Sequence, residues 1–161
     1  MLAACTTQEP GIPSIGAGTS GSSVSTTATT PVAAIDPCEW LPDSVVRELE
    51  ITTPARPKKL KAGASCRWRA EKPVIADSFS IDITYYQDRG LTDFKGDQPR
   101  TPVRVGQHEG FQTLDDSKTG CVVALGLTDT SSVDIYVLGG PESQWCATAN
   151  TVANQVESKV P

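Results

Sequence analysis

The sequence predicts an α+β domain: an antiparallel sheet of about five or six strands, with an N-terminal and a C-terminal helix packed on it and two disulfides. Three observations carry this expectation. Residues 79–86, Phe-Ser-Ile-Asp-Ile-Thr-Tyr-Tyr, alternate with the period of a half-buried strand, and the apolar runs 121–127 and 133–138 are separated by a polar connection of hairpin type. Trp145, Ala149, Val152, Val156 and Val160 fall on one helical stripe. Four well-spaced cysteines, Cys38, Cys66, Cys121 and Cys146, lie within the same region.

The chain begins differently. Leu2-Ala3-Ala4-Cys5 has the form of a lipoprotein cleavage box (residues 1–5), with Cys5 as the residue to be acylated. A secretory signal needs a basic start and about 7–15 apolar residues before its cleavage site. Only four residues precede Cys5, so the signal is expected upstream of Met1. Residues 6–35 are rich in Ser, Thr, Gly, Pro and Ala, with Glu9 the only charge. Such a stretch has too few large side chains to offset the entropy of ordering it, and it reads as a disordered tether. Gly16, Gly18 and Gly21 match a dinucleotide-binding fingerprint in spacing, but no strand precedes them and no helix follows. Residues 36–161 remain as one domain, long enough to bury a core.

Within that domain Asp36 is a good N-cap and Pro37 a good first helical residue. Pro42 interrupts or restarts the helix, after which Val45, Val46 and Leu49 share a face. Residues 52–64, with two prolines and a glycine, read as a loop. Cys66, Trp68 and Ala70 alternate with Arg67 and Arg69 on a strand, and the strand over 79–86 follows. From 87 to 102 the pattern dissolves into a polar loop with one helical turn near 91–94. Residues 103–114 read as two short strand halves joined at Gly106 and Gly110. After the 121–138 hairpin, Pro141 and Glu142 suit a helix start.

Four cysteines allow three pairings. Zinc spacing is absent, since the nearest two of the four are 25 positions apart. Pairing neighbours along the chain gives Cys38–Cys66 and Cys121–Cys146. Each tryptophan lies beside a cysteine (Trp40, Trp68, Trp145), where large rings pack on disulfides and fill core.

The net charge of −5 argues against a nucleic-acid partner. Charge is unevenly spread, however: seven of the fourteen basic residues lie between Arg56 and Lys72, against the single acid Glu71. Arg56, Lys58, Lys59, Lys61, Arg67 and Arg69 therefore form a candidate contact patch for anionic lipid or an acidic envelope polymer. Catalytic signals are weak. The only histidine, His108, sits in a polar turn next to Glu109 and is expected to face solvent. Asp82, Asp115, Asp116 and Asp134 are carboxylates with no spacing that selects a pair, and no calcium-loop pattern occurs. No enzyme activity, metal or cofactor is expected.

Asp36-Pro37-Cys38, Cys66-x-Trp68, Gly90-Leu91, Val105-Gly106, Gly120-Cys121-x-Val123 and Cys146 on a last helix ending at Val160-Pro161 together resemble a family of actinobacterial lipoproteins catalogued as a domain of unknown function. The resemblance spans 36–161. It departs at Gly106-Gln107, where a doubled glycine is usual. It implies an envelope location and a disulfide-bonded domain, and offers no catalytic residues to carry over. An α/β/α sandwich of PsbP-like type is the alternative architecture. The expected protein is a monomeric, non-catalytic binding or accessory module, exported and lipid-anchored at the outer face of the cell membrane. Its expected partner is an envelope protein, polymer or lipid. An enzyme of unrecognised type, or a structural surface protein without a discrete ligand, is the alternative.

Overall fold

The computed structural model, which describes residues 35–161, contains seven strands. Cys5 and the predicted tether up to residue 34 lie outside the described residues. The strands are β1 (Arg56–Leu60), β2 (Gly63–Ala70), β3 (Phe79–Tyr86), β4 (Thr101–Val105), β5 (His108–Leu114), β6 (Gly120–Thr128) and β7 (Ser131–Gly139). They form one sheet in the order β1-β2-β3-β7-β6-β5-β4, and every neighbouring pair is antiparallel. Two helices complete the fold, α1 (Asp43–Glu48) and α2 (Trp145–Val156).

The helices cover one face. Trp40, Leu41 and Val45 come from the α1 region, and Trp145, Ala149, Val152 and Val156 from α2. They share a core with the inward residues Cys66, Trp68, Ile81, Ile83, Val123, Leu125, Ile135 and Val137. This is α+β with a two-layer build, so the sandwich alternative does not hold. All three tryptophans are buried. The Trp40 ring meets Tyr85 edge-on, and Trp145 Nε1 donates to the Gly140 carbonyl at 3.0 Å. Cys38 is bonded to Cys66 and Cys121 to Cys146, which ties the N-terminal segment to β2 and α2 to β6.

At the N-terminus the expected helix is divided. A single 3-10 turn at Pro37–Glu39 is capped by Asp36, whose side chain accepts from the Cys38 N–H at 2.9 Å, and α1 starts after Pro42. The strand count exceeds expectation because β1 forms within the predicted loop. Its five residues, Arg-Pro-Lys-Lys-Leu, are exposed at all but the last position. An edge strand exposed on both faces has no apolar alternation to show in its sequence. Pro57 is tolerated there, as is Pro102 in β4 at the opposite edge, because an edge strand has an outward side that needs no ladder bond.

The β4–β5 hairpin turns at Gly106-Gln107 alone, and Gly110 lies within β5. Gly106 has φ +55° and Gln107 is not left-handed, so glycine is required only at the first loop position, as in a type II′ turn. The second glycine of the family pattern is dispensable here.

Segment 87–100 crosses the other face of the sheet. Leu91 and Phe94 pack on Phe111, Val122, Ala124 and Tyr136 as a small second core. Ser132 Oγ donates to the Arg89 carbonyl at 2.7 Å, and Arg100 donates to the Phe94 carbonyl at 2.9 Å. The rest of that face remains open.

Candidate functional site: a polar groove beside a basic edge

Strand registers assemble two rows of side chains on the open face. One row runs Arg56, Arg67, Asp82, Tyr136, Val122 across β1, β2, β3, β7 and β6. The next runs Lys58, Ser65, Thr84, Asp134, Ala124. Period-2 alternation points them all away from the helices. All of them except Ala124, together with Tyr86 and Leu60, line a groove of about 530 Å3.

Most polar groups of the groove floor are paired internally. Arg67 donates from Nε and Nη2 to the two oxygens of Asp82, each at 2.7 Å, a forked pair of the strongest geometry. Ser65 and Thr84 join their hydroxyls at 2.8 Å. Asp134 is 8% exposed and accepts from Nη2 of Arg89, whose guanidinium lies 3.4 Å over the Tyr86 ring. Arg89 Nε and Asp134 Oδ1 are buried without a hydrogen-bond partner. They are the remaining two atoms of the same guanidinium–carboxylate pair. Burial pushes the Asp134 carboxyl up to about 6, with Arg89 pulling it back down. Tyr136, on the far wall, is raised to about 12 by burial and then by the neighbouring Asp115 carboxylate.

The predicted basic patch divides in the structure. Arg56, Lys58, Arg67 and Arg69 share the open face, whereas Lys59 points to the other side of β1 and Lys61 stands in the β1–β2 turn. Arg67 is occupied by Asp82, and Arg69 lies 3.3 Å from Glu71. Arg56, Lys58, Lys59 and Lys61 have no ion-pair partner among the described residues, and all four are exposed. The concentrated positive charge is therefore one edge strand and its turn, narrower than the segment suggested.

The candidate carboxylates are not brought together as a catalytic pair. Asp82 and Asp134 are each matched by their own arginine. Burial raises the Asp115 carboxyl, but hydrogen bonds from Ser117 and from the Thr119 and Gly120 N–H groups outweigh it and hold it below the ordinary value. Its role is to close the β5–β6 turn. Asp116 accepts from the Asp97 N–H at 3.1 Å. His108 is not solvent-facing: it opens β5 half-buried, with Nδ1 3.2 Å from the Gly126 carbonyl and Nε2 4.0 Å from Glu157. Its neighbourhood in the sequence is polar, but the C-terminal end of α2 folds over it. Among the described residues no three His, Cys, Asp or Glu side chains gather as metal ligands, and no helix is long and apolar enough to cross a membrane.

Sequence reasoning named Asp82 and Asp134 but not the groove they belong to. The signal was present: Ser80, Asp82 and Thr84 alternate with Phe79, Ile81 and Ile83, as Asp134 and Tyr136 do with Val133, Ile135 and Val137. Knowing that β3 lies beside β7 was the missing step, because 44 residues lie between the end of β3 at Tyr86 and the start of β7 at Ser131, and no local cue announces their pairing.

No curated protein and no solved structure matches the chain. A family profile does, over residues 1–159, nearly the full length. The chain belongs to the family described as "protein of unknown function (DUF3558)".

Proposed function

We propose that this protein is a non-catalytic, monomeric binding module of the cell envelope. Acylated Cys5 holds it at the outer face of the membrane, and the basic β1 edge meets anionic lipid. The observation that carries the reading is where the chain joins the domain. Ile35, Asp36 and Pro37 line a shallow depression together with Lys58, Lys59 and Leu60. The described chain thus begins beside Lys58 and Lys59, two of the four cations that have no ion-pair partner among the described residues. The attraction falls off over a Debye length of about 8 Å, so the edge makes contact only when the domain lies against the surface. Each basic residue close to an anionic leaflet contributes about 1 kcal/mol.

Co-sedimentation of the unacylated full chain with vesicles tests this. Phosphatidylglycerol-containing vesicles are expected to bind it at low salt and release it as salt rises, and phosphatidylcholine vesicles are expected not to bind. The Lys58→Glu/Lys59→Glu/Lys61→Glu variant should lose the binding with an unchanged Tm. No sedimentation at low salt would remove the surface contact, and binding to an acidic polysaccharide alone would reassign it. Membrane partitioning of a Cys5→Ser variant equal to that of the wild type, expressed with its upstream coding sequence, would remove the anchor.

A further inference from the structure

We infer that the groove across β1, β2, β3 and β7 is a discrete binding site for the phosphate ester of a small polyol. The phosphate would sit on Arg56 and Lys58, and the polyol hydroxyls on Ser65, Asp82 and Thr84. The proposal shares two cations with the surface contact above and adds a floor that surface contact does not need.

Charge selects the class of ligand. Three cations, Arg56, Lys58 and Arg67, line the groove against two carboxylates, Asp82 and Asp134. Each carboxylate is already matched by an arginine of its own, which leaves the two cations at the β1 mouth without partners. An anion is favoured there and a cation is not. The protein as a whole carries −5, so this positive end is a local feature and not the background.

The floor then asks for more than an anion. Ser65 and Thr84 present paired hydroxyls, one of which keeps its O–H to donate while both keep lone pairs to accept, and Asp82, 13% exposed at its side chain, retains lone pairs on oxygens whose charge is balanced. These groups accept from and donate to hydroxyls without repelling a nearby phosphate. Inorganic phosphate would leave them unused, and an apolar ligand would strip them of water without replacement. The far wall is closed by Tyr86, pinned under Arg89, and by Tyr136. From β1 to β7 is three interstrand spacings, about 14 Å, enough for a phosphate at one end and a hydroxylated group at the other. The groove volume of about 530 Å3 is that of an ordinary small-molecule site.

Such an ester exists free in solution or as the headgroup of a phospholipid, and the experiment separates the two. In 1H–15N NMR titrations of the full chain, glycerol 3-phosphate is expected to move the Ser65, Arg67, Thr84 and Asp134 amides saturably. Inorganic phosphate and glycerol should each need at least about tenfold higher concentration for the same effect. Thr84→Val should weaken glycerol 3-phosphate binding about tenfold while leaving adsorption to phosphatidylglycerol vesicles salt-sensitive. Lys59→Glu, outside the groove, should do the reverse. Preference for phosphatidylglycerol over phosphatidylserine vesicles of equal charge identifies the headgroup as the source, and equal adsorption identifies the free ester. Equal shifts with inorganic phosphate, or none at these amides with glycerol 3-phosphate, overturn the groove site even if vesicles still adsorb. Groove shifts without vesicle adsorption support it and instead remove the surface contact.

Discussion

Removing the Cys38–Cys66 bond should cost about 3.5 kcal/mol, and the loss should be concentrated at the N-terminal edge of the sheet. The two cysteines are 28 positions apart. Closing a loop of that length in the unfolded chain gives about 3.6 kcal/mol at 25 °C by the chain-entropy relation. Cys66 is fully buried beside Trp68, so a Cys→Ala change leaves little room for water, and the cavity it creates is small. A domain of roughly 130 residues has an unfolding entropy near 0.27 kcal/mol per kelvin, and the expected fall in Tm is about 13 °C. The segment enclosed by this bond includes α1 and β1, which is joined only to β2. The assay is thermal unfolding of Cys38→Ala/Cys66→Ala, with hydrogen exchange read strand by strand. Amides of 37–60 should lose protection first, while β6 and β7 keep theirs until global unfolding. A fall of less than about 3 °C, or uniform loss of protection across the sheet, would refute the reasoning. In the second case the bond would be holding the whole core and not one edge.

Three further outcomes follow from the geometry. The Asp134 carboxyl, at about 6 in the fold against an ordinary 3.8, binds its proton more tightly when folded. Its contribution is therefore fully present below about pH 4 and is lost as pH rises through 6, by at most about 3 kcal/mol. Chemical denaturation from pH 4 to 7.5 should show the wild type gaining on Asp134→Asn as pH falls, and a flat difference would contradict the burial argument. Gly106→Ala should cost about 1–2 kcal/mol, because φ is +55° and the new Cβ would displace the Glu157 carboxylate that accepts from the Gln107 N–H. Gly106→Asn should be milder, and equal Tm values for the two variants would show that the backbone is not the cause. Charge reversal at Lys59 should leave Tm within about 1 °C, since the side chain is exposed and has no ion-pair partner among the described residues.

What could be read in the sequence was whatever one face of the fold buries. β3 and β7 show strict alternation because helices cover one side and a polar groove the other, and α2 shows its stripe because Trp145, Ala149, Val152 and Val156 all meet the sheet. β1 was illegible for the opposite reason. With both faces open, nothing in Arg-Pro-Lys-Lys-Leu is periodic, and its strand state comes from pairing with β2. The segment 87–100 looked polar because its two large anchors, Leu91 and Phe94, are isolated among charges, yet they are sufficient to hold it on Phe111 and Val122. His108 was misplaced because its environment is set by Glu157, 49 positions later in the chain. The groove needed the same kind of long-range knowledge. Its members were visible one by one, and the strand order alone makes them neighbours.

The prolines in the outermost strands have a consequence for how copies of this protein meet. An open sheet offers two unpaired borders, each a template on which another chain could extend the ladder. Here Pro57 and Pro102 interrupt the donor row on both borders, and Arg56, Lys58 and Lys59, without ion-pair partners among the described residues, add like charge to any approach of two β1 borders. Two molecules brought side by side would face a broken ladder with mutual repulsion. The sheet can stay unclosed, with its polar face available, at concentrations where an unguarded seven-stranded sheet would begin to polymerise.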